Sequence, residues 1–168
     1  MVIIISGTPA SGKSSVSKTL AKKFPKSAYI PVDDMRAMVV GGNILPWEDK
    51  FGEQYKLIEK NFLALTENFL EEGYVVIIDD IIGDEAFKKY QRMFKDVYGF
   101  LLLPTKEELK KRDLGRDPEG GMHHRIDALY PYFADTKHDA LEVIDSTNQT
   151  LEETVNEIFE AVTDGKKF

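Results

Sequence analysis

The stretch Gly7-Thr8-Pro9-Ala10-Ser11-Gly12-Lys13-Ser14 leaves this chain few folds to choose from. It matches the pattern G-x-x-x-x-G-K-[ST], and its surroundings are those in which such a loop works. Met1-Val2-Ile3-Ile4-Ile5-Ser6 ahead of it is an apolar, β-branched run that reads as a strand buried on both faces. Val16, Leu20 and Phe24 behind it fall at helical spacing, so the loop joins a strand to a helix.

The residue types have a physical reading. Gly7 and Gly12 let the main chain turn tightly and approach a ligand closely. Successive N–H groups then point inward as an anion nest, and the next helix adds its positive end. Lys13 reaches the β- and γ-phosphates of a nucleotide, and the Ser14 hydroxyl can bind Mg²⁺. ATP and Mg²⁺ are therefore the expected cofactors. The expected nucleotide contacts are Gly7, Thr8, Pro9, Ala10, Ser11, Gly12, Lys13, Ser14 and Ser15.

The rest of the chain repeats the alternation that the loop begins. Ser27–Val32 is a second strand, and Gly41-Gly42-Asn43 marks a loop. A long helix is expected from Pro46 to Glu72, with Phe51, Tyr55, Ile58, Phe62, Leu65 and Phe69 inward. Tyr74–Ile78 and Val97–Leu103 are further strands, with a helix from Asp84 to Lys95 between them. Thr105-Lys106-Glu107-Glu108 has capping-box spacing and opens a helix carrying Arg112. Asp113 to Gly121 holds three glycines and a proline and reads as a mobile loop, followed by a helix from Met122 to Phe133. Leu141–Ile144 is a short last strand. Thr150-Leu151-Glu152-Glu153 caps a final helix whose inner face is Leu151, Val155, Ile158 and Val162.

Strands alternating with amphipathic helices predict an α/β fold, a five-stranded parallel sheet with helices on both faces, which together with the phosphate loop resembles P-loop NTPases of the nucleoside or shikimate kinase type. One domain over residues 1–168 is expected, with a mobile lid at about 112–122. The formal charge of −7 disfavours broad electrostatic binding to nucleic acid. With no cysteine, thiolate metal sites and disulfides are excluded. No apolar run is long enough to span a membrane, and the N-terminal run is too short for a signal peptide, so a cytoplasmic location is expected.

Right-handed crossovers bring all strand C-termini to one edge, where ligands sit. Asp33 arrives there from the second strand and is placed to accept a hydroxyl proton or hold that hydroxyl in line with the γ-phosphate; the alternative is a helix cap. Arg36, one turn along, would bind an acceptor phosphate or the γ-phosphate. Asp79 and Asp80 follow an apolar strand; Asp79 is assigned to Mg²⁺ with Ser14, and Asp80 to the acceptor. Arg112 and Arg116 flank the lid and are expected to clamp the β- and γ-phosphates on closure. Arg125 is a further candidate. Ser146-Thr147-Asn148 lines the adenine pocket or forms a plain turn.

These residues together resemble the small P-loop kinases, and most of all chloramphenicol phosphotransferase and its relatives. The likeness runs through Val32-Asp33, Val-Ile-Ile-Asp79-Asp80, the Gly-Arg-Asp lid with Gly121-Met122, and His138-Asp139…Ile144-Asp145-Ser146-Thr147. It implies transfer of the ATP γ-phosphate to a hydroxyl of a small molecule, with Asp33 matching the family's proposed base. The lid departs from the family's arginine-glycine-aspartate-arginine run. Asp33-Asp34-Met35-Arg36 and Leu109–Arg116 are also similar to 5′-hydroxyl polynucleotide kinases, which implies an alternative acceptor. A nucleotide-operated switch or ATPase without a small-molecule acceptor is the third reading.

Overall fold

A computed structural model describes residues 1–116 and 121–164 of the protein. Its centre is β1 (Val2–Gly7), whose six residues are all buried. The other strands are β2 (Ser27–Pro31), β3 (Val75–Asp79), β4 (Val97–Leu102) and β5 (Glu142–Ile144). They form one parallel sheet in the order β2-β3-β1-β4-β5, the five strands the alternation predicts.

The period-two geometry of a strand divides the apolar runs between two cores. Ile3, Ile5, Ile77 and Phe100 face one side, where Val16 and Leu20 of α1 (Lys13–Ala21) and Val155, Ile158 and Val162 of α7 (Leu151–Thr163) cover them. Val2, Ile4, Val76 and Ile78 face the other. There they meet Val32 and Met35 of α2 (Val32–Ala37), Ile58 and Phe62 of α3 (Phe51–Glu71), Phe87 and Tyr90 of α4 (Asp84–Met93), and Phe133 of α6 (His123–Ala134). No helix among the described residues is long and apolar enough to cross a membrane.

Two predicted boundaries shift and two residues expected inward face outward. The long helix begins at Phe51 rather than Pro46. Residues 45–51 instead make successive turns, Glu48 N–H to Leu45 carbonyl and Phe51 N–H to Glu48 carbonyl. Trp47 is 62% exposed, so that stretch has no apolar face to pack. Within α3 the buried face is Ile58, Phe62, Leu63 and Thr66, while Leu65 points outward. Thr66 is tolerated inside because its hydroxyl donates to the Phe62 carbonyl at 2.8 Å. The predicted loop at Asp113 is helical: α5 spans Lys106–Arg116, with Asp113 fully buried against Gly121 and His123. Residues 117–120 of the expected lid, and the side chain of Arg116, lie outside the described part of the structure. In α7, Leu151 is exposed rather than inward, since it follows the cap directly.

Asp84 fastens the start of α4 to the segment before β5. One carboxylate oxygen lies 2.7 Å from His138 Nδ1, and the other accepts the Asp139 and Ala140 amides at 2.7 and 3.0 Å. Burial works against this charge, but the bonds from His138 and the two amides outweigh it and hold the carboxyl at about 2. A folded value below the unfolded one, about 4, stabilises the fold above that pH and is lost as pH falls from about 4 to about 2. Asp84→Asn should therefore melt below wild type at pH 7, and the gap in Tm should close across that window.

Candidate active site

The register of three neighbouring strands builds the site. Ile5 of β1, Asp79 of β3 and Pro31 of β2 lie side by side. The phosphate-loop residues follow Ile5, Asp80 follows Asp79, and Asp33 follows Pro31 in the first turn of α2, so all meet at one edge. Pro31, not either aspartate, occupies the N-cap of α2, and no side chain caps that helix. The capping alternative for Asp33 thus has no support in the geometry.

The loop itself alternates in hand. Gly7, Ala10 and Gly12 have φ of 152°, 64° and 94°. Left-handed positions among right-handed ones turn consecutive amides toward a common centre. A Cβ on Gly7 would sit 2.5 Å from Ser11 Oγ and 2.8 Å from the Leu102 carbonyl, so only glycine fits between the loop and β4. Ala10 in the left-handed region is a local strain that the motif gave no sign of. Gly12 is the N-cap of α1, which aims its positive end at the nest. Ser6 locks the loop's base to the next strand end: its hydroxyl donates to the Ile82 carbonyl at 2.7 Å and accepts the Ile82 amide at 3.0 Å.

Lys13 and Asp79 face each other inside this frame, both nearly buried, with Nζ 3.9 Å from Oδ1. Tyr29 donates its hydroxyl to Asp79 Oδ2 at 3.0 Å. Burial pushes the Asp79 carboxyl up, against Lys13, Ser14 and Tyr29, which favour its charge. Burial and the neighbouring Asp79 raise the Tyr29 phenol as well. Asp79 Oδ1 is buried without a hydrogen-bond partner. A buried acceptor left open beside the motif's serine hydroxyl is the chemistry a Mg²⁺ ion asks for, since this ion takes one or two protein oxygens and fills its shell from phosphate and water. Ser14 and Asp79 therefore fit the group, although no cluster of three acidic or histidine side chains forms among the described residues.

Asp80 faces the opposite way and is closed off. Its carboxylate accepts Arg36 Nη2 at 2.5 Å, the Tyr55 hydroxyl at 2.7 Å and the Ile81 amide at 2.8 Å. It reaches the acceptor side only through Arg36, which also donates Nη1 to Asp33. The Asp33 side chain is 64% exposed and open to the site. A cavity of about 490 Å³ collects Gly12, Lys13, Ser14, Asp33, Arg112 and Arg125 around one space.

Arg112 is not a free lid residue. On α5, it donates Nη2 to the Ser146 carbonyl at 2.6 Å, Nη1 to the Ser11 carbonyl at 3.2 Å and Nε to Glu108 at 3.0 Å. It bridges the phosphate loop and the turn after β5. A second cavity of about 340 Å³ opens on its far side, lined by Gly12, Ser146, Gln149 and Thr154. Of the predicted turn 146–148, Ser146 is the residue that faces this space. Arg125 lies on the first cavity with its guanidinium 4.9 Å from the Trp47 ring centre. Tyr29, Tyr55 and Trp47 are the contacts that sequence reasoning missed. Each acts across 25 residues or more, and the available signal was a polar-tipped aromatic in or near an otherwise apolar pattern.

An AAA domain family model matches residues 3–130. The guanylate kinase of Clostridium acetobutylicum is 29% identical over 140 residues, which is 71% of this chain. The chain spans 64% of that relative's length. In three dimensions the chain is similar to a gluconokinase from Sinorhizobium meliloti, with TM-score 0.65 and 18% identity over 97% of this chain and 91% of the other. It is also similar to a sugar kinase from Janibacter sp., with TM-score 0.68 and 16% identity over 97% and 94%. The two solved structures share the fold of this chain. With the family model running from β1 into α6, the chain belongs to the AAA domain family and has a P-loop kinase fold.

Proposed function

We propose that this protein transfers the γ-phosphoryl group of ATP to a hydroxyl of a small molecule, as a chloramphenicol phosphotransferase-like kinase. The single observation that carries the reading is the shared cavity: an exposed carboxylate, Asp33, faces the same space as the phosphate loop and Lys13. A nucleotide switch has no use for such a carboxylate; a kinase needs one to receive its acceptor.

The main-chain N–H groups of the loop from Gly7 to Ser15, of which Pro9 has none, hold the triphosphate, and the space beside Arg112 and Ser146 takes the base. Asp33 accepts a hydrogen bond from the alcohol and orients it. The alcohol oxygen attacks the γ-phosphorus, the bond from that phosphorus to the β–γ bridging oxygen breaks, and ADP leaves with the electron pair. The hydroxyl proton passes to Asp33 and then to water. Lys13 stabilises the charge that develops on the phosphoryl oxygens. A magnesium ion, when bound, neutralises phosphate charge; Ser14 and Asp79 would hold it. Arg112 keeps the loop and the base pocket together, and Arg116 and Arg125 are the candidates for closing over the phosphates.

Incubation with γ-labelled ATP and a set of alcohols tests this: chloramphenicol, sugars, nucleosides and a 5′-hydroxyl oligonucleotide. Label on a small molecule, with one ADP formed per phosphate ester, is the expected result. Label on the oligonucleotide alone would establish the polynucleotide kinase alternative. Free phosphate with no labelled acceptor would establish an ATPase.

A further inference from the structure

We infer that the acceptor is uncharged where it meets the protein, and that acceptors already bearing a phosphate are rejected, because both terminal nitrogens of the arginine beside Asp33 already serve carboxylates. The inference rests on the kinase reading above and specifies its substrate class.

An arginine one turn after an acceptor carboxylate suggests an anion clamp. Here its geometry closes that role. Arg36 Nη1 is on Asp33 and Nη2 on Asp80, so both terminal nitrogens already serve carboxylates. The pair with Asp80 is buried, with 15% of the arginine and 1% of the aspartate side chain exposed. Asp80 cannot swing away, because Tyr55 and the Ile81 amide hold its two oxygens. The Phe51 and Tyr55 rings lie 5.7 and 5.4 Å from the guanidinium carbon and fix its plane. Burial opposes the Arg36 charge, yet Asp80 and Asp33 outweigh it and strengthen the cation.

The charge count points the same way. Asp33 and Asp80 set two carboxylates against the one guanidinium of Arg36. Lys13 and Arg112 stand with the phosphate loop, while Arg125 shares the cavity and stacks on Trp47. The cluster of Asp33, Arg36 and Asp80 beside the proposed alcohol site is thus net anionic. Arg36 is a positioning residue: it holds the Asp33 carboxylate toward an incoming hydroxyl, its terminal nitrogens are engaged, and its unpartnered Nε is buried away from the cavity's solvent.

The test compares alcohols in pairs that differ by one phosphate, such as glucose with glucose 6-phosphate and adenosine with adenosine monophosphate, using MgATP and the full chain. Like-charge contact should lower kcat/KM for the phosphate-bearing member by about 100-fold or more. Equal or faster turnover of that member would overturn the inference while leaving the kinase reading intact. If no alcohol reacts, the kinase reading fails, and an independent measurement decides the state of Arg36. With the phosphate loop filled by MgADP, inorganic phosphate is titrated against the arginine Nε–H resonances, the Arg36 signal being assigned by Arg36→Lys. The Arg36 resonance should stay fixed to tens of millimolar phosphate, roughly the range in which a free guanidinium site would respond; a saturable shift would overturn the inference. Asp80→Asn removes the blocking charge and should make that resonance respond, whereas a silent variant would remove Asp80 from the account.

Discussion

Lys13→Met should bring phosphoryl transfer down by about 100-fold or more in kcat, the cost of losing a cation aimed at developing charge. The methionine keeps the buried stem, so the packing against α1 survives and a cooperative melt is expected. The lysine amine, however, faces Asp79 Oδ1 at 3.9 Å and in the proposed reaction also meets the triphosphate. Its loss leaves a buried carboxylate facing the phosphates with one less cation between them. ATP affinity should therefore weaken along with turnover, and a titration calorimetry curve beside the kinetic assay checks both. A variant that still turns over at wild-type rate would remove Lys13 from the mechanism.

Asp33→Asn should separate the two halves of the reaction. The loss expected is again about 100-fold in kcat, within the range of general acid–base catalysis. Here the ATP dissociation constant should stay within a few-fold of wild type. The distinction follows from placement: Asp33 stands on α2, after β2, while the loop that holds ATP hangs from β1. The amide can still accept from Arg36 through its oxygen, so the geometry persists while the proton acceptor is gone. Unchanged turnover would show that the carboxylate has no part in acceptor chemistry, and weakened ATP binding would show that it belongs to the nucleotide half.

What a reader of the sequence can see, and what stays hidden, follows from the range of the interactions. The runs at 2–5 and 75–78 announce themselves because strands buried on both faces are nearly continuous apolar stretches. Gly7 and Gly12 are visible because positive φ selects glycine. Thr150 and Glu153 form the full capping box their spacing suggests, each side chain bonding the other's backbone. The similar spacing at Thr105 gives half of one. Thr105 accepts the Glu108 amide at 3.4 Å, while the Glu108 carboxylate turns to Lys111 and Arg112. That choice depends on Arg112 being wanted at Ser146, 34 residues away, and no local rule contains it. The continuation of α5 past Asp113 has the same origin. A glycine-rich stretch reads as a break until a buried aspartate packed against Gly121 and His123 holds it helical. Arg36 was legible as a functional residue but not its occupancy, since Asp80 and Tyr55 reach it only through the fold.

The division between the rigid strand ends and the exposed stretch joining α2 to α3 bears on how such a protein changes over time. Glycines 41 and 42, Val40 and Trp47 lie outside the sheet and outside both cores. Substitutions there disturb neither the amide nest nor the Lys13–Asp79 pair, because the packing that sets those distances is elsewhere. Under the proposed function, the choice of alcohol can therefore change through this stretch while the phosphate loop and the Lys13–Asp79 pair stay as they are.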